Sequence, residues 1–229
     1  MVLGNITEGI GGAIRIAITL LTPFLHQQRA SWGATDVEIS RSLPGDELVP
    51  HNKWGYTHAI TIRASAAEIW PWLVQIGQGR GGFYGYEFLE NLIGCNIHNA
   101  DRIIPEFQHL DVGDEIRHHP KLPHYNVAVV EPNRVLVLHT GVDSNTMNTT
   151  ELTNTIPKKY INAIYIWFLD ELGNGDTRII ARGRYGYRGF RNALSNSRFL
   201  LEPIAFTTSR KMLIGIKERA EAAVEQSSE

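Results

Sequence analysis

Apolar and polar positions along the chain divide it into a strand-rich middle and two flanking helical stretches. The longest unbroken helical stripe lies near the end, from Phe199 to Val224. There Phe206, Ser209, Met212, Leu213, Ile216, Ala220, Ala223 and Val224 fall on one face, with Arg210, Lys217, Glu221 and Glu225 opposite. That pattern predicts a helix lying on a core, and the strands before it supply the surface. Within the stripe Thr207, Thr208, Ser209 and Gly215 are small where a tight helix-on-sheet contact would take Leu or Ile. Two readings are open: close approach of the two backbones, or a gap beneath the helix.

Alternation predicts a strand over Tyr56–Arg63, with Tyr56, His58, Ile60 and Ile62 on one face. Ser65-Ala-Ala-Glu68 is a capping-box pattern and predicts a helix over Ala66–Ile76, with Pro71 inside it. A glycine-rich turn follows, then a second short helix over Tyr84–Ile93. Further strands are predicted over 114–119, 125–131, 134–140, 160–170 and 177–187. Pro132-Asn133 and Gly173-Asn174-Gly175-Asp176 have the residues of tight hairpin turns, which makes their neighbours antiparallel and the sheet a meander. In the last strand Thr177, Ile179, Ala181, Gly183, Tyr185 and Tyr187 should face the terminal helix, with Arg178, Arg182, Arg184 and Arg188 on the other side. The strand 160–170 is apolar on both faces, so it should be covered on both. The polar stretch from Gly141 to Lys159 reads as a mobile tip.

At the start, Ile6 to Leu25 is apolar but carries Thr7, Gly11, Arg15, Thr19, Thr22 and His26 along one helical face. Arg15 near its middle argues against a spanning helix. The expectation is a surface helix whose Ile10, Ile14, Ala17, Leu21 and Phe24 stripe packs on the doubly apolar strand, contributing about 5–10 kcal/mol. Contact with a membrane interface is the other reading. Ser31–His51 lacks periodicity and reads as an irregular connector without chemistry. The division expected is 1–51 for helix and connector and 52–229 for the main domain.

Composition narrows the function. The 229 residues are 43% hydrophobic and 20% charged, ordinary for a globular chain, and a net charge of −2 without a basic block excludes nucleic acid as a partner. The lone Cys95 and the absence of a recognisable leader point to the cytoplasm. Gly77-x-Gly79-x-x-Gly82 spells a dinucleotide fingerprint, but a capped helix precedes it and hairpins follow, so no nucleotide cofactor is expected. His118, His119 and His124 lack ligand spacing and read as surface histidines, with no metal expected.

Five motifs carry a family resemblance: Ile69-Trp70-Pro71-Trp72-Leu73-Val74-Gln75, Gly77-Gln78-Gly79-Arg80-Gly81-Gly82-Phe83-Tyr84, Leu89-Glu90-Asn91, Ala100-Asp101-Arg102-Ile103 and Lys211-Met212-Leu213. With the order of elements over Tyr56–Ala223, they resemble the START-like, or SRPBCC, superfamily, which includes polyketide cyclases and dehydratases. Within it, the match is to a bacterial subgroup with no established ligand. The resemblance implies an α+β helix-grip fold, a curved antiparallel sheet of six or so strands wrapped around a long C-terminal helix, with two short helices after the first strand. It also implies a hydrophobic cavity between sheet and helix.

Three functions follow as expectations. One is binding of an apolar or amphipathic small molecule, with His58, Arg80, Tyr84, Glu90, Tyr165, Trp167 and Tyr185 as candidate contacts. Another is an enzyme of the polyketide cyclase type, with Arg80 orienting an oxyanion and Glu90 or His98 moving protons. The last is a membrane-associated adaptor working through Ile6–Leu25. A buried Glu90 would need Arg80 or Arg102 as its partner.

Overall fold

The computed structural model describes residues 2–143, 146, 148–149, 159–189 and 193–227. Helix α1 (Val2–Leu21) is followed by α2 (His26–Ala30) and α3 (Asp36–Ser40), and the first strand is β1 (Trp54–Ile62). Ser65 then starts α4 (Ala66–Val74): its hydroxyl accepts from the Glu68 amide while the Glu68 carboxylate accepts from the Ser65 amide, so two orphan donors are satisfied at once. The second short helix, α5 (Glu87–Leu92), begins later than its apolar pattern suggests. Tyr84 has φ of 56°, a left-handed backbone that a helix cannot include. Strands β2 (Glu115–Ile116), β3 (Tyr125–Glu131), β4 (Val135–Asp143), β5 (Asn148–Thr149), β6 (Tyr160–Glu171) and β7 (Thr177–Arg188) lead into α6 (Ala193–Ser227).

All strand pairs are antiparallel, in the order β1-β7-β6-β4-β3-β2, with β5 pairing the end of β4. From β2 to β7 the sheet is the expected meander. The first strand departs from it, crossing to the far side to pair with β7, Ile62 opposite Thr177. Asn133, with φ of 61°, and Gly175, with φ of 88°, make the two tight turns. Most of the Gly141–Lys159 tip lies outside the described residues.

The inner face of the sheet meets α4 and α6. Ile62, Trp167, Leu169, Ile179 and Ala181 pack there with Leu73, Leu213, Ile216 and Ala220. Lys217 Nζ donates to the Thr61 carbonyl (2.8 Å) and Glu221 pairs with Arg63, fastening α6 to β1. Chain order, sheet pairing and the grip on the last helix together make this an α+β helix-grip fold.

Two expectations about the outer face are corrected. The connector, not the N-terminal helix, is its cover: Leu43 and Val49 are buried against Val135, Val137, Ile164, Ile166, Phe168 and Ile180. It also carries chemistry, because its acids meet the arginines of β7. Asp46 pairs with Arg182 (2.6 Å) and Arg184 (2.9 Å), and Glu38 pairs with Arg178 (2.7 Å).

Helix α1 therefore goes elsewhere, against α5 and α6. It docks through its glycine face: a Cβ on Gly9 would lie 2.6 Å from Phe88, and one on Gly12 would lie 2.8 Å from Tyr86. Glu8 pairs with Lys211 on α6 (3.0 Å). The Ile10, Ile14, Ala17, Leu21 and Phe24 stripe is turned to solvent, with Ile14 55% and Leu21 80% exposed. Close approach selected the smallest side chains, which lie opposite the large ones. No helix among the described residues is long and apolar enough to cross a membrane.

Candidate ligand cavity

A cavity of about 190 Å³ lies between the sheet and α6. Its floor is Tyr56, Tyr165, Trp167 and Ala181 from β1, β6 and β7. Its roof is Ala205, Thr208, Ser209 and Met212 from α6, and Phe83, Gly85, Glu90, Cys95, Ile97 and His118 close one side. The small residues of α6 thus do two jobs. Thr208 and Ser209 leave the gap, whereas Gly215 allows close approach, since a Cβ there would lie 2.6 Å from the Tyr84 carbonyl oxygen.

The glycine-rich turn positions the side wall. Gly77, Gly79 and Gly82 all have positive φ, and a Cβ on Gly82 would meet Asn99 Oδ1 at 2.5 Å. That same oxygen accepts from the amides of Phe83 (3.1 Å) and Tyr84 (2.7 Å). The loop is therefore a clamp that sets Phe83 and Gly85 at the cavity.

The sequence-derived candidates separate. Tyr165, Trp167 and Glu90 line the cavity. His58 lies behind Tyr56, stacked on it at 4.3 Å. Its Nε2 meets the Arg29 carbonyl (2.9 Å), which can only accept, so Nδ1 accepts from Ser209 (2.9 Å). Burial pushes the His58 pKa down to about 4 and keeps the ring neutral. Tyr185 stacks on Trp54 (4.1 Å). The Tyr84 hydroxyl donates to the Trp72 carbonyl and accepts from Gln75 (both 2.9 Å), a structural role.

Arg80 is spoken for. Its guanidinium donates to the carbonyls of Ile76, Val74 and Phe107 and lies over the Phe107 ring. His98 is exposed, 3.4 Å from Glu87, in an open cleft of about 600 Å³. Both cations of that cleft are paired, Lys211 with Glu8 and Arg219 with Asp101 (2.9 Å). Neither Arg80 nor Arg102 is bonded to Glu90.

The lining includes residues that were not among the candidates, His118 and Tyr56 foremost. His118, taken for a surface histidine, is stacked on Phe83 (4.5 Å) beside Tyr125 and Tyr165, and burial pushes its pKa down to about 4. Tyr56 was visible only as an inward strand position. Tyr165 packs against Tyr125 (5.2 Å) and Tyr185 (5.9 Å), and burial raises the pKa of all four phenols.

Two polar atoms at the cavity have no hydrogen-bond partner: Glu90 Oε2 and His118 Nδ1, both buried. Burial first, then the nearby Glu87 carboxylate, push the Glu90 pKa up to about 7. Buried polar groups are nearly always paired, so unpaired ones on side chains that line a cavity mark a place for a ligand. No group of three or more metal-ligating side chains occurs among the described residues.

A scan of family models and a sequence search of curated proteins found no match. Comparison with solved structures found several. The Zhui aromatase/cyclase of Streptomyces sp. R1128 is 14% identical, with 75% of this chain and 95% of that one covered and a TM-score of 0.40. Norcoclaurine synthase of Thalictrum flavum is 12% identical, with 81% and 94% covered and a TM-score of 0.38. A hypothetical protein of Helicobacter pylori is 12% identical, with 79% and 96% covered and a TM-score of 0.46. The helix-grip fold rests on this chain's own elements and strand pairing.

Proposed function

We propose that this protein binds one apolar or amphipathic small molecule in the cavity between the sheet and α6. The observation that carries this is an aromatic-walled space with two unpaired polar atoms at its edge. All its lining residues fall within 52–229, which supports assigning binding to that stretch and a covering role to 1–51.

Binding is favoured over acid–base catalysis by the fate of the three catalytic candidates. Arg80 is committed to backbone carbonyls, His98 is outside, and only Glu90 borders the cavity. Native mass spectrometry of gently purified protein should reveal a bound small molecule, and the neutral dye N-phenyl-1-naphthylamine should brighten on entering the emptied cavity. Thr208→Leu, which fills the roof, should weaken dye binding at least about tenfold. Absence of both a co-purified ligand and dye entry would refute the reading.

A further inference from the structure

We propose that the cavity takes an amphipathic amine, its apolar body against the aromatic wall and its ammonium group on the Glu90 carboxylate, and that it discriminates against carboxylate-ended amphiphiles. This rests on the cavity reading above.

The charge around the cavity is one-sided. Among the described lining residues Glu90 is the acid and Arg182 the one cation. The Arg182 guanidinium is consumed on the other face of the sheet, by Asp46 (2.6 Å) and the carbonyls of Arg41 and Glu38 (both 2.8 Å). Near Glu90 are Glu87 on its own helix and the Cys95 thiol from the next loop, and the cavity it borders is lined further by neutral His118 and by the uncharged Thr208, Ser209 and Met212 of α6. The one group that favours its charged form is the Tyr86 backbone N–H. The carboxylate reaches the cavity because Gly85 has no side chain, since a Cβ there would lie 2.2 Å from Glu90 Oε1.

A carboxylate so placed keeps one oxygen without a donor and lacks a countercharge. An ammonium group supplies both in one charge-assisted hydrogen bond. A ligand carboxylate would set a second negative charge beside the first, with no cation to answer it. His118 Nδ1 offers a second polar contact for a hydroxyl on the same ligand.

The pH dependence has a definite sign. Near pH 6 Glu90 is mostly protonated and the amine loses its countercharge, whereas near pH 8 Glu90 is ionised and alkylamines are still cationic. Amine affinity should therefore rise with pH.

The test is displacement of N-phenyl-1-naphthylamine from the full chain by decylamine, decanol and decanoate at pH 6 and pH 8. Decylamine should displace the dye at least about tenfold better than decanoate at pH 8, with a smaller margin at pH 6. Decanol should show no such pH dependence. Glu90→Gln should remove the amine's pH dependence, read against decanol in the same variant. Decanoate equal to or better than decylamine at pH 8, or an amine preference unchanged in Glu90→Gln, overturns the amine assignment and leaves the cavity standing. Failure of the dye and all three chains to bind overturns the cavity reading itself. The wild-type pH comparison needs no variant, so poor folding of Glu90→Gln would not spare the proposal.

Discussion

The two faces of the sheet treat charge in opposite ways. On the outer face, Arg178, Arg182 and Arg184 meet Glu38 and Asp46, and the connector's apolar side chains fill the space between. On the inner face, one carboxylate oxygen and one imidazole nitrogen stand unpaired on side chains that line an open volume. A buried charge with a partner holds structure together, and removing the partner is expensive. A buried polar group without one is a standing cost that folding alone does not offset, and a ligand can relieve it.

The sharpest way to break this contrast is to strip a partner from the outer face. Asp46→Ala leaves Arg182, only 2% exposed, without its carboxylate and should cost about 3–5 kcal/mol, lowering Tm by roughly 10 °C in thermal melts. If Tm holds, the outer pairing is not structural.

The inner face predicts the reverse. Glu90 has a raised folded pKa, so the native state holds its proton more tightly than the unfolded chain, and stability falls as pH rises from about 4.5 through 7. Glu90→Gln should stabilise the protein at pH 8 by on the order of 1–3 kcal/mol and flatten that slope, read from urea titrations at several pH values. A loss of stability at pH 8 would mean that the carboxylate is satisfied after all.

Glu38 has the opposite shift, down to about 2, caused chiefly by Arg178. Its contribution is complete above about pH 4.5 and is lost as pH falls toward 2. Glu38→Gln should cost on the order of 1 kcal/mol at pH 7 after solvent screening, and nothing at pH 2. The smallest effect is expected on the third surface, α1. Ile14→Ser with Leu21→Ser should change stability by no more than about 0.5 kcal/mol, because both side chains already face water. A larger loss would restore the packed-stripe expectation.

Much of the fold was legible because it rests on periodicity. The α6 stripe, the Ser65–Glu68 cap and the inward set on β7 are local patterns with a single consistent geometry. The α1 stripe misled because periodicity identifies the apolar face but not what it meets, and glycines let the opposite face dock closer. The site was less legible. Arg80 reads as a cation for a ligand carboxylate or for Glu90 because residue type does not reveal where the carbonyls of Val74, Ile76 and Phe107 point. His118 was hidden beside His119 in a stretch too short for alternation to assign its face, since β2 ends at Ile116. Glu90 was visible as a carboxylate in need of a cation, but the lack of one is a property of the assembled wall.

The pairing of β1 with β7 also has a consequence during synthesis. Ile62 meets Thr177 and Trp54 meets Tyr185, so the first strand's neighbour is made only after the rest of the sheet. The α6 contacts that fasten β1 from above come later still. At about 5–20 residues per second, β1 waits on the order of ten seconds on the ribosome with its pairing edge open. The meander from β2 to β6 can assemble in that interval, since each of its hairpins closes over a short span. Closure of the grip is therefore a late, long-range event, and a chain halted between β6 and β7 would display an unpaired, apolar strand for other chains to join.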